Sequence, residues 1–137
     1  MNGAVSYFGI ADWVTLRDSR AANPDSQTPG LGGSEQTYVG SSCETEPDRS
    51  TVCAEASGNH YIDANDPPFF LLHSADDPAI PVTQSQQMVA ELDTSGVLVD
   101  YRELDGLGHG WATKFAIPEV GDARDDVRTW LDALPPR

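Results

Sequence analysis

Asp66-Pro67-Pro68-Phe69-Phe70-Leu71-Leu72-His73-Ser74-Ala75-Asp76-Asp77-Pro78-Ala79-Ile80-Pro81 is the stretch on which the reading of this chain turns. Its two leading prolines stop any helix that approaches them. The apolar run behind them is too short for a helix and has the length of a strand buried on both faces, so a strand is predicted over 69–73. A polar loop with two acids, Asp76 and Asp77, takes over where the run ends.

The same pattern recurs downstream. Thr83 and Gln86 have capping-box spacing, Met88, Val89 and Leu92 recur at helical intervals, and Gly96 suits the position just past a helix. A third strand is predicted over 97–104, partly alternating as expected nearer a sheet edge. Leu104-Asp105-Gly106-Leu107-Gly108-His109-Gly110-Trp111 follows, placing His109 in a loop beyond a strand, 32 positions after Asp77. Upstream, 4–10 reads as a β-branched and aromatic strand ending near Asp12, a cap for a short helix through Trp13, Val14 and Leu16. At the far end Ala123, Val127, Trp130, Leu131 and Leu134 share one helical face that Pro135-Pro136 terminates.

Strand, helix, strand, helix in this order implies right-handed βαβ crossovers. The expected class is α/β: about three parallel strands with flanking helices, in one domain over 1–137. The segment 21–66 is dense in Gly, Pro, Ser, Asn and Asp, which predicts loops and short helical pieces. A stretch of that length without regular structure is usually functional, and a lid or cap is the expectation.

Composition narrows the function. Eight Lys and Arg against 22 Asp and Glu give a net charge of −14, which repels phosphate backbones and argues against nucleic acid as a partner. Hydrophobic residues make up 39%, an ordinary globular share, and no run approaches the ~18 apolar residues of a membrane-spanning helix. Cys43 and Cys53 flank a polar segment and are expected to close a disulfide loop, which would favour a secreted or extracytoplasmic setting. No basic stretch followed by an apolar run opens these residues, so no export signal is expected within them.

An acid and a histidine in separate loops beyond parallel strands can form a hydrogen-bonded pair in which the carboxylate fixes the imidazole tautomer and the free ring nitrogen moves a proton. His73-Ser74-Ala75-Asp76-Asp77-Pro78-Ala79-Ile80-Pro81 and Gly106-Leu107-Gly108-His109-Gly110-Trp111 resemble the acid and histidine loops of the α/β-hydrolase superfamily, in its esterase and lipase branch. They are most similar to those of bacterial acetyl-esterase-like and feruloyl-esterase-like enzymes. The entry Asp66-Pro67-Pro68-Phe69 and the segment Phe8-Gly9-Ile10-Ala11-Asp12 are also similar, the latter to the stretch after the nucleophile-bearing helix. The likeness runs through most of the chain and is weak over 21–56. The chain departs at Ser74, where the family usually has glycine, a difference that bears on the turn leading to Asp77.

The resemblance implies that Asp77 orients His109, and that His109 serves as general base and then general acid in an acyl-enzyme cycle on a small carboxylic ester. No G-x-S-x-G occurs in the 137 residues, so the nucleophile and oxyanion donors are expected from a missing N-terminal half of the fold. Alone, the chain is expected to be inactive and to self-associate through an unpaired strand edge. Two other readings stand beside this one. One is a short binding or assembly module without catalysis. The other is a fragment of a prolyl-oligopeptidase-type peptidase or dienelactone hydrolase, which carry related loops.

No metal or cofactor is expected. His73 and Asp77 would need a helix to share a face, and neither H-E-x-x-H nor paired C-x-x-C is present. Asp76 reads as a turn residue, His73 as structural and His60 as a surface residue. Tyr7, Trp13 and Trp111 read as core aromatics in preference to pocket walls.

Overall fold

The computed structural model describes residues 2–27, 32–40, 43, 45–114 and 117–135, the side chains of residues 33 and 34 excepted. Three parallel strands, β1 (Ala4–Tyr7), β2 (Phe69–Ser74) and β3 (Val99–Leu104), lie in the order β1-β2-β3. The register sets Tyr7 beside Leu72, and Ser74 beside Leu104, so β2 and β3 end level and their loops emerge together.

Side chains alternate across β2, and each face finds its own cover. Phe70 and Leu72 point into a cluster with Trp111 and with Val120, Ala123 and Val127 of α5 (Pro118–Ala133). Leu71 points the other way, onto Leu92 of α4 (Thr83–Thr94) and Val97. A parallel sheet buried on both faces needs this double cover. At about 25 cal/mol per Å² of apolar surface, each fully buried Leu or Phe on β2 contributes about 2–3 kcal/mol before entropy is charged against it.

β1 is shorter than the predicted 4–10. Phe8 takes φ +43, a left-handed conformation rare for a bulky residue, and the chain leaves the sheet there. β3 likewise starts at Val99 rather than 97, because Val97 is claimed by the α4 cluster while Leu98 is exposed. α1 (Trp13–Ala22) begins where predicted: the Asp12 carboxylate accepts from Val14 N–H at 2.7 Å. α4 begins at Thr83, but Thr83 is its first residue, not its cap, and Val82 precedes it without a capping side chain. Gly96 takes φ +76 just past the end of α4, the conformation that favours glycine there.

α5 buries Val120, Ala123 and Val127, whereas Leu131, placed on the apolar face by the sequence pattern, is 45% exposed. Its contact has rotated toward Trp130, which stacks on Phe70 with ring centroids 5.6 Å apart. A Cβ on Gly3 would lie 2.5 Å from Leu134 and 2.7 Å from Trp130, so glycine lets the helix end close on β1. Pro136, expected to help end this helix, lies outside the described residues.

The segment 21–66 contains short helices, α2 (Gly33–Val39) and α3 (Ala54–Ala56), a π-helical turn over Arg49–Cys53 and a 3-10 turn over Gly58–Tyr61. Its anchor is a small core of Trp13, Leu16, Val39, Ile80 and the Cys43–Cys53 disulfide, whose Cα atoms are 5.8 Å apart. Trp13 stacks on Tyr38 at 5.7 Å, and Trp111 is fully buried and edge-on to Tyr7 at 5.5 Å.

Candidate active site

Asp77 sits in the loop after β2 and is fully buried. Its Oδ1 accepts from Ala79 N–H at 2.8 Å and Ile80 N–H at 2.9 Å, and its Oδ2 accepts from His109 Nδ1 at 2.8 Å. Burial alone would raise the carboxyl's pKa. The bonds from His73, Ile80, His109 and Ala79 outweigh that and bring it from 3.8 down to about 2. The group is therefore an anion at neutral pH. An anion only accepts, so His109 Nδ1 carries a hydrogen, and in the neutral ring Nε2 is then the nitrogen with the lone pair. The imidazole side chain is 40% exposed.

The loop that carries Asp77 is held at every carbonyl from 77 to 80. Asn23 Nδ2 donates to the Asp77 carbonyl (3.2 Å), Gln27 N–H to Pro78 (3.1 Å), Arg20 Nε to Ala79 (2.7 Å) and His73 Nε2 to Ile80 (2.8 Å). A buried loop must place its backbone polar groups somewhere, and here the last turn of α1, its following residues and β2 take them all.

His73 is structural, as its strand-end position suggests, but its position bears on the acid. It is fully buried on the α4 face of β2. The Ile80 carbonyl can only accept, so Nε2 carries the hydrogen and Nδ1 accepts from Ser85 Oγ at 2.7 Å. The same Nε2 lies 3.5 Å from Asp77 Oδ2. One carboxylate oxygen thus faces two imidazoles. The sequence signal for this, a histidine four positions before the acid, was visible but pointed only to packing.

Ser74 and Asp76 join the two loops. The Ser74 hydroxyl donates to Asp76 Oδ1 at 2.5 Å and accepts from Leu107 N–H at 3.2 Å, while Asp76 Oδ1 also accepts from Gly108 N–H at 3.3 Å. The bond from Ser74 leads the effects that hold the Asp76 carboxyl below its ordinary value. The serine in place of glycine at this point therefore ties the acid loop to the histidine loop. Asp76 is a turn residue with a second task.

His109 is presented between Gly108 (φ +62) and Gly110 (φ +69), left-handed positions that side chains rarely adopt. Lys114 Nζ closes the loop onto the Leu107 carbonyl at 2.8 Å. Phe8 meets the His109 ring edge-on at 4.8 Å, and its strained backbone conformation is what turns it there. Reading 4–10 as uninterrupted strand hid that contact. His60 is exposed and takes no part in the pair.

A parallel α/β layer whose strand-end loops bring a buried carboxylate and a half-exposed imidazole together is the arrangement of α/β-hydrolases. The BD-FAE family model matches residues 1–92, two thirds of the chain, and the chain belongs to that family. Asp77 falls within the match and His109 beyond it. Esterase LipQ of Mycobacterium tuberculosis is 39% identical over 57 residues, 41% of this chain and 14% of that protein. Among solved structures, an acetyl ester-xyloside bifunctional hydrolase from Caldicellulosiruptor lactoaceticus superposes with TM-score 0.74 at 19% identity, over 96% of this chain and 42% of that one. A carboxylesterase from Lactobacillus plantarum gives 0.66 at 15% identity, over 99% and 46%. The chain spans less than half the length of these proteins.

Proposed function

We propose that this chain supplies the acid, Asp77, and the general base, His109, of a serine-dependent carboxylic ester hydrolase. The observation that carries the proposal is the 2.8 Å bond between His109 Nδ1 and a buried Asp77 carboxylate, on an imidazole whose side chain is 40% exposed. In that geometry His109 Nε2 takes the proton of a hydroxyl nucleophile as it attacks the ester carbonyl. The imidazolium, stabilised by Asp77, then hands the proton to the departing alcohol. Water repeats the exchange on the acyl-enzyme.

The serine and the oxyanion donors come from a part of the fold outside these residues, since no G-x-S-x-G is present. The esterase names among the similar proteins support an ester as substrate. The test is hydrolysis of 4-nitrophenyl acetate by the polypeptide as its gene encodes it. Turnover is expected to fall about 10²–10⁴-fold in His109→Ala, and a fluorophosphonate is expected to label a serine. The 137 residues alone are expected to match a histidine-containing control. A gene product that neither labels nor turns over any short ester refutes the reading and favours a non-catalytic module.

A further inference from the structure

Arg20 is 3% exposed in the last turn of α1, and the proton-transfer chemistry above makes no use of it. Its guanidinium forks onto Glu35 of α2, Nη1 to Oε2 at 2.9 Å and Nη2 to Oε1 at 2.5 Å, and its Nε donates to the Ala79 carbonyl at 2.7 Å. Buried pairs of this kind are poor stabilisers compared with apolar packing, so what they orient matters more than what they contribute. Here the oriented object is one peptide unit. The carbonyl of Ala79 and the N–H of Ile80 belong to the same plane and point in opposite directions. Arg20 holds the oxygen end, and the hydrogen end donates to Asp77 Oδ1 at 2.9 Å.

We infer that Arg20 is a positioning residue for Asp77, and that through the Arg20–Glu35 pair the helix α2 is coupled to the Asp77–His109 site, an inference whose catalytic meaning rests on the hydrolase reading. A cation on the carbonyl oxygen fixes the direction of the Ile80 N–H and polarises it toward the carboxylate. Glu35 in turn sets the guanidinium. Its carboxyl, held below its ordinary pKa chiefly by the Arg20 bond, also accepts at 2.5 Å from the N–H of Gly32, the residue that caps α2. A displacement of α2 therefore reaches the acid through one side-chain fork and one peptide. α1 reinforces the link through Asn23 on the Asp77 carbonyl.

Among the described residues, the titratable groups in contact with the Asp77 carboxylate are His73 from β2 and His109 from the loop after β3, with Asp76 turned onto Gly108; from α4, Ser85 bonds the Nδ1 of His73. The experiment compares the gene-encoded polypeptide with Glu35→Gln and with Arg20→Met combined with Glu35→Gln, which leaves no buried charge unpaired. Nuclear magnetic resonance reads the Asp77 carboxyl titration and the solvent exchange of His109 Nδ1–H at pH 7, and ester kinetics are measured alongside.

In the double variant the Asp77 midpoint is expected to rise by about 1 pH unit, and His109 Nδ1–H to exchange several-fold faster. The kcat is expected to fall on the order of 10- to 100-fold with KM nearly unchanged. Glu35→Gln is expected to show smaller changes of the same sign, and it decides the matter if the double variant does not fold. A folded variant that loses stability but keeps the Asp77 midpoint and the His109 exchange rate overturns the inference and leaves Arg20 a mere staple between helices. An inert wild-type polypeptide in which both resonance changes still appear sinks the hydrolase reading and leaves the positioning intact.

Discussion

Replacing Asp77 by asparagine is the sharpest perturbation of the site, because its effect on stability is calculable without any assay of activity. The folded carboxyl titrates at about 2 against an ordinary 3.8. At about 1.4 kcal/mol per pH unit that difference makes ionised Asp77 worth about 2.5 kcal/mol to the folded state. The sign follows from the direction of the shift. A depressed carboxyl pKa contributes its stability above the unfolded value, and the contribution drains away as pH falls from about 4 through about 2. Asparagine has no charge to lose. It also turns an NH₂ toward His109 Nδ1–H, or toward the two N–H groups that Oδ1 now accepts, so one donor is left facing another. Urea unfolding of both proteins at pH 7, 5, 4, 3 and 2.5 is expected to show the variant less stable by at least about 2.5 kcal/mol at pH 7, with the gap closing toward acid. A gap that stays constant with pH refutes the argument, since it would mean the charge contributes nothing and only packing was lost.

In His109→Ala, the buried Asp77 carboxylate loses one donor and stability at pH 7 is expected to fall by about 1–3 kcal/mol, while ester turnover falls about 10²–10⁴-fold; an unchanged urea midpoint at pH 7 would show that the bond adds nothing to the folded state. Ser74→Gly removes the hydroxyl that joins the two loops and is expected to cost about 1–2 kcal/mol, read as a lower melting temperature with faster exchange at the Leu107 amide. Reducing Cys43–Cys53 opens a loop with sequence separation 10, worth about 3 kcal/mol on the chain-entropy relation; equal urea midpoints with and without reductant would show that the disulfide adds nothing to the packing that holds the segment. The isolated 137 residues are expected to self-associate, because β1 pairs with β2 on one side only; a monodisperse monomer with a cooperative transition in sedimentation and unfolding experiments counts against that.

The elements legible in the sequence were those whose reasons are local. The run at 69–73 reads as a doubly buried strand, and it appears as Phe69–Ser74 with Leu71 and Leu72 fully covered. Asp12 announced its helix by residue type, and Gly96 its helix end. The acid and histidine loops were legible because each follows a strand, and parallel strands ending level bring such loops together whatever lies between them. What escaped was decided across the chain rather than along it. Nothing near Phe8 foretells φ +43, the conformation that brings its ring to His109, 101 positions on and 4.8 Å away. Leu131 fits the helical period but is exposed, because the period cannot say whether Trp130 or Leu131 faces β1, and Gly3 makes the space that chooses Trp130. Arg20 is the clearest case. In the sequence it is one charge in a polar helix, and only the fold reveals a buried cation gripping the peptide whose other end holds Asp77. A pairing of charge with backbone carries no residue-type signature at its backbone end, since any residue can stand at Ala79 and offer the same carbonyl. Side chains that support an acid through main-chain groups are thus invisible to motif reading even where the acid itself is plain, and here the support reaches as far as α2, in a segment whose sequence looked irregular.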